Sequence, residues 1–126
     1  MPLVTITLVK GRSTPEKHLI ADKVHAALVN TGVPGDDRFQ RMIELEPENF
    51  IYNRNFPELH QARTPAFILI EIVWSAGRSV KIKRKLLGDL MGGLKAAGQD
   101  PNDVMVAFIE TAWENWAFAN GEQIHI

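Results

Sequence analysis

Between Leu3 and Val9 threonines alternate with aliphatic and β-branched side chains, the two-residue period of a strand with one wetter face. Gly11 ends the run. Ser13-Thr14-Pro15-Glu16 is then a capping box with proline in the first turn, and Leu19, Ile20, Val24, Ala27 and Leu28 recur at helical spacing until Thr31-Gly32. Val33-Pro34-Gly35-Asp36-Asp37 is turn chemistry, and Phe39 to Leu45 reads as a second strand. The order strand, helix, strand predicts a parallel pair joined by a right-handed crossover.

The pattern then recurs. Ala66 to Trp74 is a long apolar strand, Gly77-Arg78-Ser79 repeats Gly11-Arg12-Ser13 at an offset of 66, and Leu86, Leu87, Leu90, Met91 and Leu94 form a second helical stripe. Asp100-Pro101-Asn102-Asp103 echoes Pro34-Gly35-Asp36 at an offset of 67, and Val104 to Ile109 reads as a fourth strand. This duplicated βαβ unit predicts an α+β fold: one four-stranded mixed sheet with two helices on one face. The expected layout is a single domain over 1–126, with repeat one at 2–46, a connector at 47–65, repeat two at 66–110 and a C-terminal hairpin at 111–126. The hairpin is expected to turn at Asn120-Gly121. Phe50, Ile51, Tyr52 and Phe56 make the connector too apolar for a free linker, so it is expected to serve function or a subunit contact. A sheet covered on one side needs a partner on the other, so an oligomer is expected.

Composition narrows the chemistry. The 126 residues carry 14 basic and 15 acidic side chains, a balance that gives no global field toward nucleic acid or a membrane surface. With no cysteine, disulfides, thiol nucleophiles and thiolate metal sites are excluded. No apolar run reaches the length of a membrane span, and cytoplasmic is the default location. No phosphate loop, dinucleotide fingerprint or nucleophile elbow is present, so neither a cofactor nor a metal is expected. His18, Asp22 and His25 lie at helical spacing but read as a solvated helix face, and His60 and His125 have no motif around them.

Four places could carry chemistry. Removal of Met1 turns the Pro2 ring nitrogen into a free secondary amine able to take or give a proton, whereas a retained Met1 leaves it an inert amide. Arg78 stands beside the Ser79 cap of helix two, where free N–H groups and the helix dipole already favour an anion such as a substrate carboxylate. Lys81, Lys83, Arg84 and Lys85 oppose that dipole and imply a nearby anion or acidic surface. Asp37 closes the turn before strand two and could hydrogen-bond a water or a substrate proton. Trp116 and Phe118 share one face of an extended segment and form an apolar wall.

Pro2 before a strand, the Gly11-Arg12-Ser13 corner and the duplicated unit together resemble the tautomerase superfamily. More narrowly, Val33-Pro34-Gly35-Asp36-Asp37-Arg38-Phe39, Pro47-Glu48-Asn49-Phe50-Ile51-Tyr52, Ala76-Gly77-Arg78-Ser79 and Asn115-Trp116-Ala117-Phe118 resemble its malonate semialdehyde decarboxylase-like branch in order and spacing. The resemblance implies a homotrimer with inward-facing sheets forming a barrel and a pocket around each amino-terminal proline. It further implies Pro2 as acid or base, Asp37 as activator of water or partner of the amine, Arg78 as carboxylate binder, and Trp116 and Phe118 as pocket lining. Those decarboxylases place two arginines at the corner after strand three. This chain has Arg78 alone, preceded by Ser75 and Ala76, so a tautomerase-type isomerase moving a proton on an enol or 2-oxo acid is the expected activity. A decarboxylase or hydratase using cationic Pro2 with Asp37, and a non-catalytic binding protein on the same fold, are the alternatives. A ferredoxin-like RNA-binding module shares the element order, but strands one and three lack its stacking aromatics.

Overall fold

Capping groups and glycine corners set the element boundaries. In the computed structural model, which describes residues 2–124, β1 (Leu3–Val9) leads through Gly11 into α1 (Thr14–Val29). The Ser13 hydroxyl accepts the Glu16 backbone N–H at 3.2 Å and closes the helix N-terminus. Gly11 holds a φ of +128°, where a side chain would be strained, and Gly77 holds +114° at the equivalent corner of the second unit. There β3 (Ile68–Ser75) passes into α2 (Val80–Ala96), capped by Ser79 accepting from the Ile82 N–H at 3.2 Å. β2 (Phe39–Leu45) and β4 (Val104–Thr111) complete the two units.

The sheet order is β2-β1-β3-β4. β1 runs parallel to β2 and β3 parallel to β4, while β1 and β3 pair antiparallel from Leu3 opposite Val73 to Thr7 opposite Leu69. The mixed four-stranded sheet and the two helices therefore follow the sequence pattern. Val4, Ile6 and Leu8 of β1 and Ile68, Ile70 and Ile72 of β3 bury one face beneath Ile20, Val24 and Leu28 of α1 and Leu86, Leu90 and Leu94 of α2. Each such side chain contributes roughly 1.5–3 kcal/mol on full burial. The other face carries the alternate residues, and Phe39, Ile43, Met105 and Ile109 stand exposed on it.

Three expectations are adjusted. β3 starts at Ile68 rather than Ala66, because the Ala66 carbonyl accepts from Arg12 Nη2 and Gln99 Nε2, each at 2.8 Å, and Phe67 turns into an aromatic cluster with Phe50 and Tyr52. β4 runs on to Thr111, because its parallel pairing continues to Ser75 opposite Thr111. The hairpin expected over 111–126 reduces to its turn. Asn120 and Gly121 take φ of +57° and +70°, as that turn demands, but no strand pairing flanks them among the described residues. Instead the Trp113–Asn115 turn and the side chains after it dock on the end of the sheet; His125 and Ile126 lie outside the described residues.

The connector is tied down at its end. Asp103, almost fully buried, accepts the Thr64 backbone N–H at 2.7 Å on one carboxylate oxygen and the Thr64 hydroxyl at 2.6 Å on the other. Ile51 and Phe56 nevertheless remain 92% and 72% exposed, so the segment is ordered yet presents apolar surface outward. Asp103→Ala removes both charge-assisted bonds that hold Thr64, so stability should fall by roughly 1.5–3 kcal/mol. Urea denaturation of the two proteins measures this, and an unchanged midpoint would show that the connector is held elsewhere.

Candidate active site

Strand polarity decides which residues meet. Because β1 and β3 are antiparallel, the starts of β1 and β2 lie beside the ends of β3 and β4. Continuing the ladders one residue past Leu3 sets Pro2 between Arg38 of the β2 side and Trp74 of β3. Pro2 is buried there.

On the uncovered side of the sheet, Pro2, Leu3, Phe39, Trp116, Ala117 and Phe118 line a cavity of about 180 Å³. Its wall is built from ring contacts. Trp116 and Phe118 stack with centroids 5.8 Å apart and planes within 8°, and Phe118 lies 5.8 Å from Phe39. The Trp116 indole N–H donates to the buried Ser75 hydroxyl at 3.0 Å, which fixes the wall to the end of β3. Asn115 Nδ2 donates to Thr111 Oγ1 at 2.6 Å and Gln123 Nε2 to the Glu114 carbonyl at 2.7 Å, holding the segment that carries the rings.

On the helix side stands Arg78. Its Nη1 donates to the Ser75 carbonyl at 2.6 Å, and its guanidinium lies 4.4 Å over the Trp74 ring. Trp74 is fully buried and stacks on Phe108 at 5.1 Å. Its indole N–H has no hydrogen-bond partner among the described residues, a cost of about 1–3 kcal/mol carried beside the site. Burial lowers the Arg78 pKa from the ordinary guanidinium value, while the charges of Glu110 and Asp37 oppose that shift. Asp37, Arg78 and Glu110 thus share one local field. Glu110 in turn lies below the usual carboxylate range: the hydrogen bond from Lys83 lowers it most, burial opposes, and the Lys83 charge, the Gly77 backbone and Arg78 add to the lowering.

The expected site residues therefore fall into two adjoining groups. Pro2, Trp116 and Phe118 meet in the cavity, whereas Asp37 and Arg78 are not among the residues lining it and are linked by the influence of the Asp37 charge on the guanidinium. Lys83 finds its acidic neighbour in Glu110, and Lys85 bonds the Asn30 carbonyl and Asp89. Phe39, Trp74, Ser75 and Glu110 were not singled out from the sequence. Glu110 had a signal: Lys83 and Glu110 each stand 66 residues after Lys17 and Glu44, which pair at 2.7 Å in the first unit. Elsewhere Asp22 pairs with Arg38 at 2.7 Å and His25 Nε2 meets the Gly35 carbonyl at 2.8 Å, and no cluster of three metal-ligating groups occurs among the described residues. A connector cleft of about 500 Å³ is larger than the proline cavity, but its only charged lining residue, Arg63, is engaged by the Asn53 and Phe56 carbonyls. Among the described residues no helix is long and apolar enough to cross a membrane.

A duplicated βαβ sheet with a buried proline at its head and an aromatic wall beside it defines a tautomerase-type fold. The sequence profile of the Tautomerase_2 family, described as tautomerase enzyme, matches residues 37–119, and the chain belongs to this family. It is similar over 96% of its length, at 31% identity and a TM-score of 0.89, to FG41 malonate semialdehyde decarboxylase inhibited by 3-bromopropiolate, of which 92% is covered. A second malonate semialdehyde decarboxylase, described as having decarboxylase and hydratase activities, matches over 96% of this chain and 93% of its own at 28% identity and a TM-score of 0.89. A fused 4-OT symmetric trimer shares the fold at 23% identity and a TM-score of 0.76, over 96% of this chain and 94% of its own. A search of curated proteins gave no match.

The lowered pKa of Glu110 makes its ion pair a pH-dependent support of the site. A carboxylate whose folded pKa is depressed contributes stability above its unfolded value, and loses it as pH falls through the folded one. The wild type should therefore lose more stability between pH 7 and about pH 3 than Glu110→Gln does. Urea midpoints at the two pH values measure the difference, and parallel losses would show that the Lys83–Glu110 pair carries none of the acid dependence.

Proposed function

We propose that the protein, with Met1 removed, is a cofactor-independent tautomerase-type isomerase that moves a proton on a small enol or 2-oxo acid through the Pro2 amine. The observation that carries this reading is the buried position of Pro2 against the Leu3, Phe39, Trp116 and Phe118 side chains, with Asp37 and Arg78 at the same end of the sheet. An apolar wall disfavours the charged form of an amine, so Pro2 acts as a neutral base. Its nitrogen takes the enol hydroxyl proton as the C–O bond becomes a carbonyl, and the resulting pyrrolidinium returns a proton to the adjacent carbon. Arg78 holds the substrate carboxylate beside the α2 N-terminus, whose dipole adds to the attraction. Asp37 receives a hydrogen bond from the amine or from the substrate hydroxyl.

The likeness to two malonate semialdehyde decarboxylases favours a second reading. In it Pro2 is cationic and polarises the carbonyl of a small 3-oxo acid, so that carbon dioxide leaves and the enolate is protonated, or Asp37 positions water for hydration of an unsaturated acid. The single corner arginine weighs toward the isomerase. In either reading the working unit is a homotrimer, supported by the likeness in fold to a trimeric 4-OT and by the apolar sheet face.

Turnover of phenylpyruvate enol, followed by absorbance on protein whose N-terminus is verified by mass, separates the readings. A neutral base requires activity that rises with pH through the amine pKa; a falling or bell-shaped profile assigns the cationic form. Arg78→Ala should lower kcat/KM roughly 10- to 100-fold, the equivalent of a charge-assisted contact of about 1.5–3 kcal/mol, and Arg12→Ala should do less. Pro2→Ala keeps a primary amine and part of the activity, whereas an added residue before Pro2 should abolish it. Equal turnover with a blocked nitrogen would exclude Pro2 as the catalyst.

A further inference from the structure

The internal repeat supplies a control for the site. At the corner after β3 the Ala76 N–H donates to the Thr111 carbonyl at 2.8 Å, and at the corner after β1 the Lys10 N–H donates to the Leu45 carbonyl at 3.0 Å. A three-residue turn follows the outer strand of each unit, Pro47–Asn49 after β2 and Trp113–Asn115 after β4. Each of these positions stands 66 residues from its counterpart, so the backbone follows the same course at the two ends of the sheet. The side chains do not match. Where the first unit has Val9, Leu45 and Phe50, the second has Ser75, Thr111 and Trp116. Three positions that are apolar in one unit donate or accept hydrogen bonds in the other, at the end of the sheet that carries Pro2. Since the same backbone folds with the apolar set, the fold itself does not require the polar one.

The bonds of the polar set show what it does. The fully buried Ser75 hydroxyl accepts the Trp116 indole N–H at 3.0 Å, and the Thr111 hydroxyl accepts Asn115 Nδ2 at 2.6 Å. The Ser75 carbonyl accepts Arg78 Nη1 at 2.6 Å. One residue thus ties the aromatic wall through its side chain and the corner guanidinium through its backbone. The first unit holds its aromatic pair by packing instead: Phe67 lies 5.4 Å from Phe50 and 4.4 Å from Tyr52, the counterparts of Trp116 and Phe118. Beside Pro2 the pair borders the cavity of about 180 Å³, which on the proposed reading must stay open to a ligand, so packing from that side cannot hold the rings. A directional bond to the end of β3 can. We propose that Ser75 is a positioning residue of the site: its hydroxyl holds the Trp116 ring at the cavity in a set relation to the arginine that its own carbonyl holds. Ring and guanidinium then receive the apolar and anionic ends of one ligand without being rearranged. The inference rests on the substrate reading above, in which Arg78 takes the carboxylate and the wall takes the apolar part.

Phenylacetate, a carboxylate joined to a ring, probes both parts without being turned over. Its affinity is measured by calorimetry for the wild type, Ser75→Ala, Trp116→Phe, the double variant and Val9→Ala, and circular dichroism reports that each is folded. Ser75→Ala removes the acceptor, and Trp116→Phe removes the donor while keeping a ring, so each should weaken binding roughly three- to tenfold. In the Trp116→Phe background Ser75→Ala should have no further effect, because the bond is already broken. Val9→Ala, at the counterpart of Ser75 in the first unit, should leave the affinity unchanged. If Ser75→Ala does not fold, Ser75→Cys, whose sulfur accepts only weakly, takes its place. Wild-type affinity in the Ser75 variant, or losses from the two changes that multiply, would overturn the positioning role, as would an equal loss from Val9→Ala. Turnover of phenylpyruvate enol, followed on the same proteins, separates this inference from the reading beneath it. An inactive wild type whose binding depends on Ser75 overturns the isomerase and keeps the positioning role, whereas an active one whose binding and kcat/KM ignore Ser75 overturns the positioning role alone. A wild type that neither binds phenylacetate nor turns over the enol overturns both.

Discussion

The antiparallel pairing of β1 with β3 is the contact on which the site depends. Each βαβ unit is parallel inside itself, so its two strand starts lie at one end and its two strand ends at the other. Were the units joined by a parallel pairing, Pro2 and Asp37 would face the starts of β3 and β4, and Arg78 and Glu110 would sit a strand length away. Antiparallel joining, anchored at Leu3 opposite Val73, brings the head of β1 to the helix corner of the second unit. The same ladder places Val4, Ile6 and Leu8 beside Ile68, Ile70 and Ile72, so the contact that makes the site also makes the centre of the core.

That symmetry creates a second, equivalent end, and the chain treats the two differently. At the far end Arg12 stands for Arg78, Asp103 for Asp37, and the Lys17–Glu44 pair for Lys83–Glu110. There the connector fills the space: its Ala66 carbonyl takes the Arg12 guanidinium, and Thr64 satisfies both oxygens of Asp103. β3 is preceded by Phe67 in continuous chain, so no terminal amine can form at its head. Only the near end combines a proline nitrogen with a corner arginine. The connector is in this sense the element that makes the two halves unequal, and its Asp103 anchor explains why it can carry exposed Ile51 and Phe56 without fraying.

Most of the frame was legible because it is periodic or local. The alternation in β1, the helical stripes, the Ser13 and Ser79 caps and the Gly11 and Gly77 corners are properties of short segments, and the offset of 66 joined them into two units. The elements that escaped depend on contacts distant in sequence. Trp116 and Phe118 sit on a docked segment rather than a hairpin because Ser75, 41 residues away, receives the Trp116 indole. Phe39 joins the wall only because β2 pairs with β1 in the register that sets it opposite Leu3. Trp74, a core position by its period, becomes the platform under Arg78 only once the corner folds back over it.

The protonation of Pro2 in the proposed mechanism follows from how these pieces balance. Carboxylates near an amine favour its charged form, and an apolar wall favours its neutral form. Asp37 and Glu110 would together press strongly for the cation if they stood alone. They do not, because Lys83 bonds Glu110 and the Arg78 guanidinium lies in the field of both carboxylates, so the four groups sum to no net charge. On the proposed reading, opposite charges interleaved in this way largely offset one another, and the lining shared by Pro2 with Leu3, Phe39, Trp116 and Phe118 is left to weigh on the amine. In the proposed mechanism the charged groups orient an anionic substrate while the wall sets the basicity of the nitrogen, the division of labour that proton transfer without a cofactor would require.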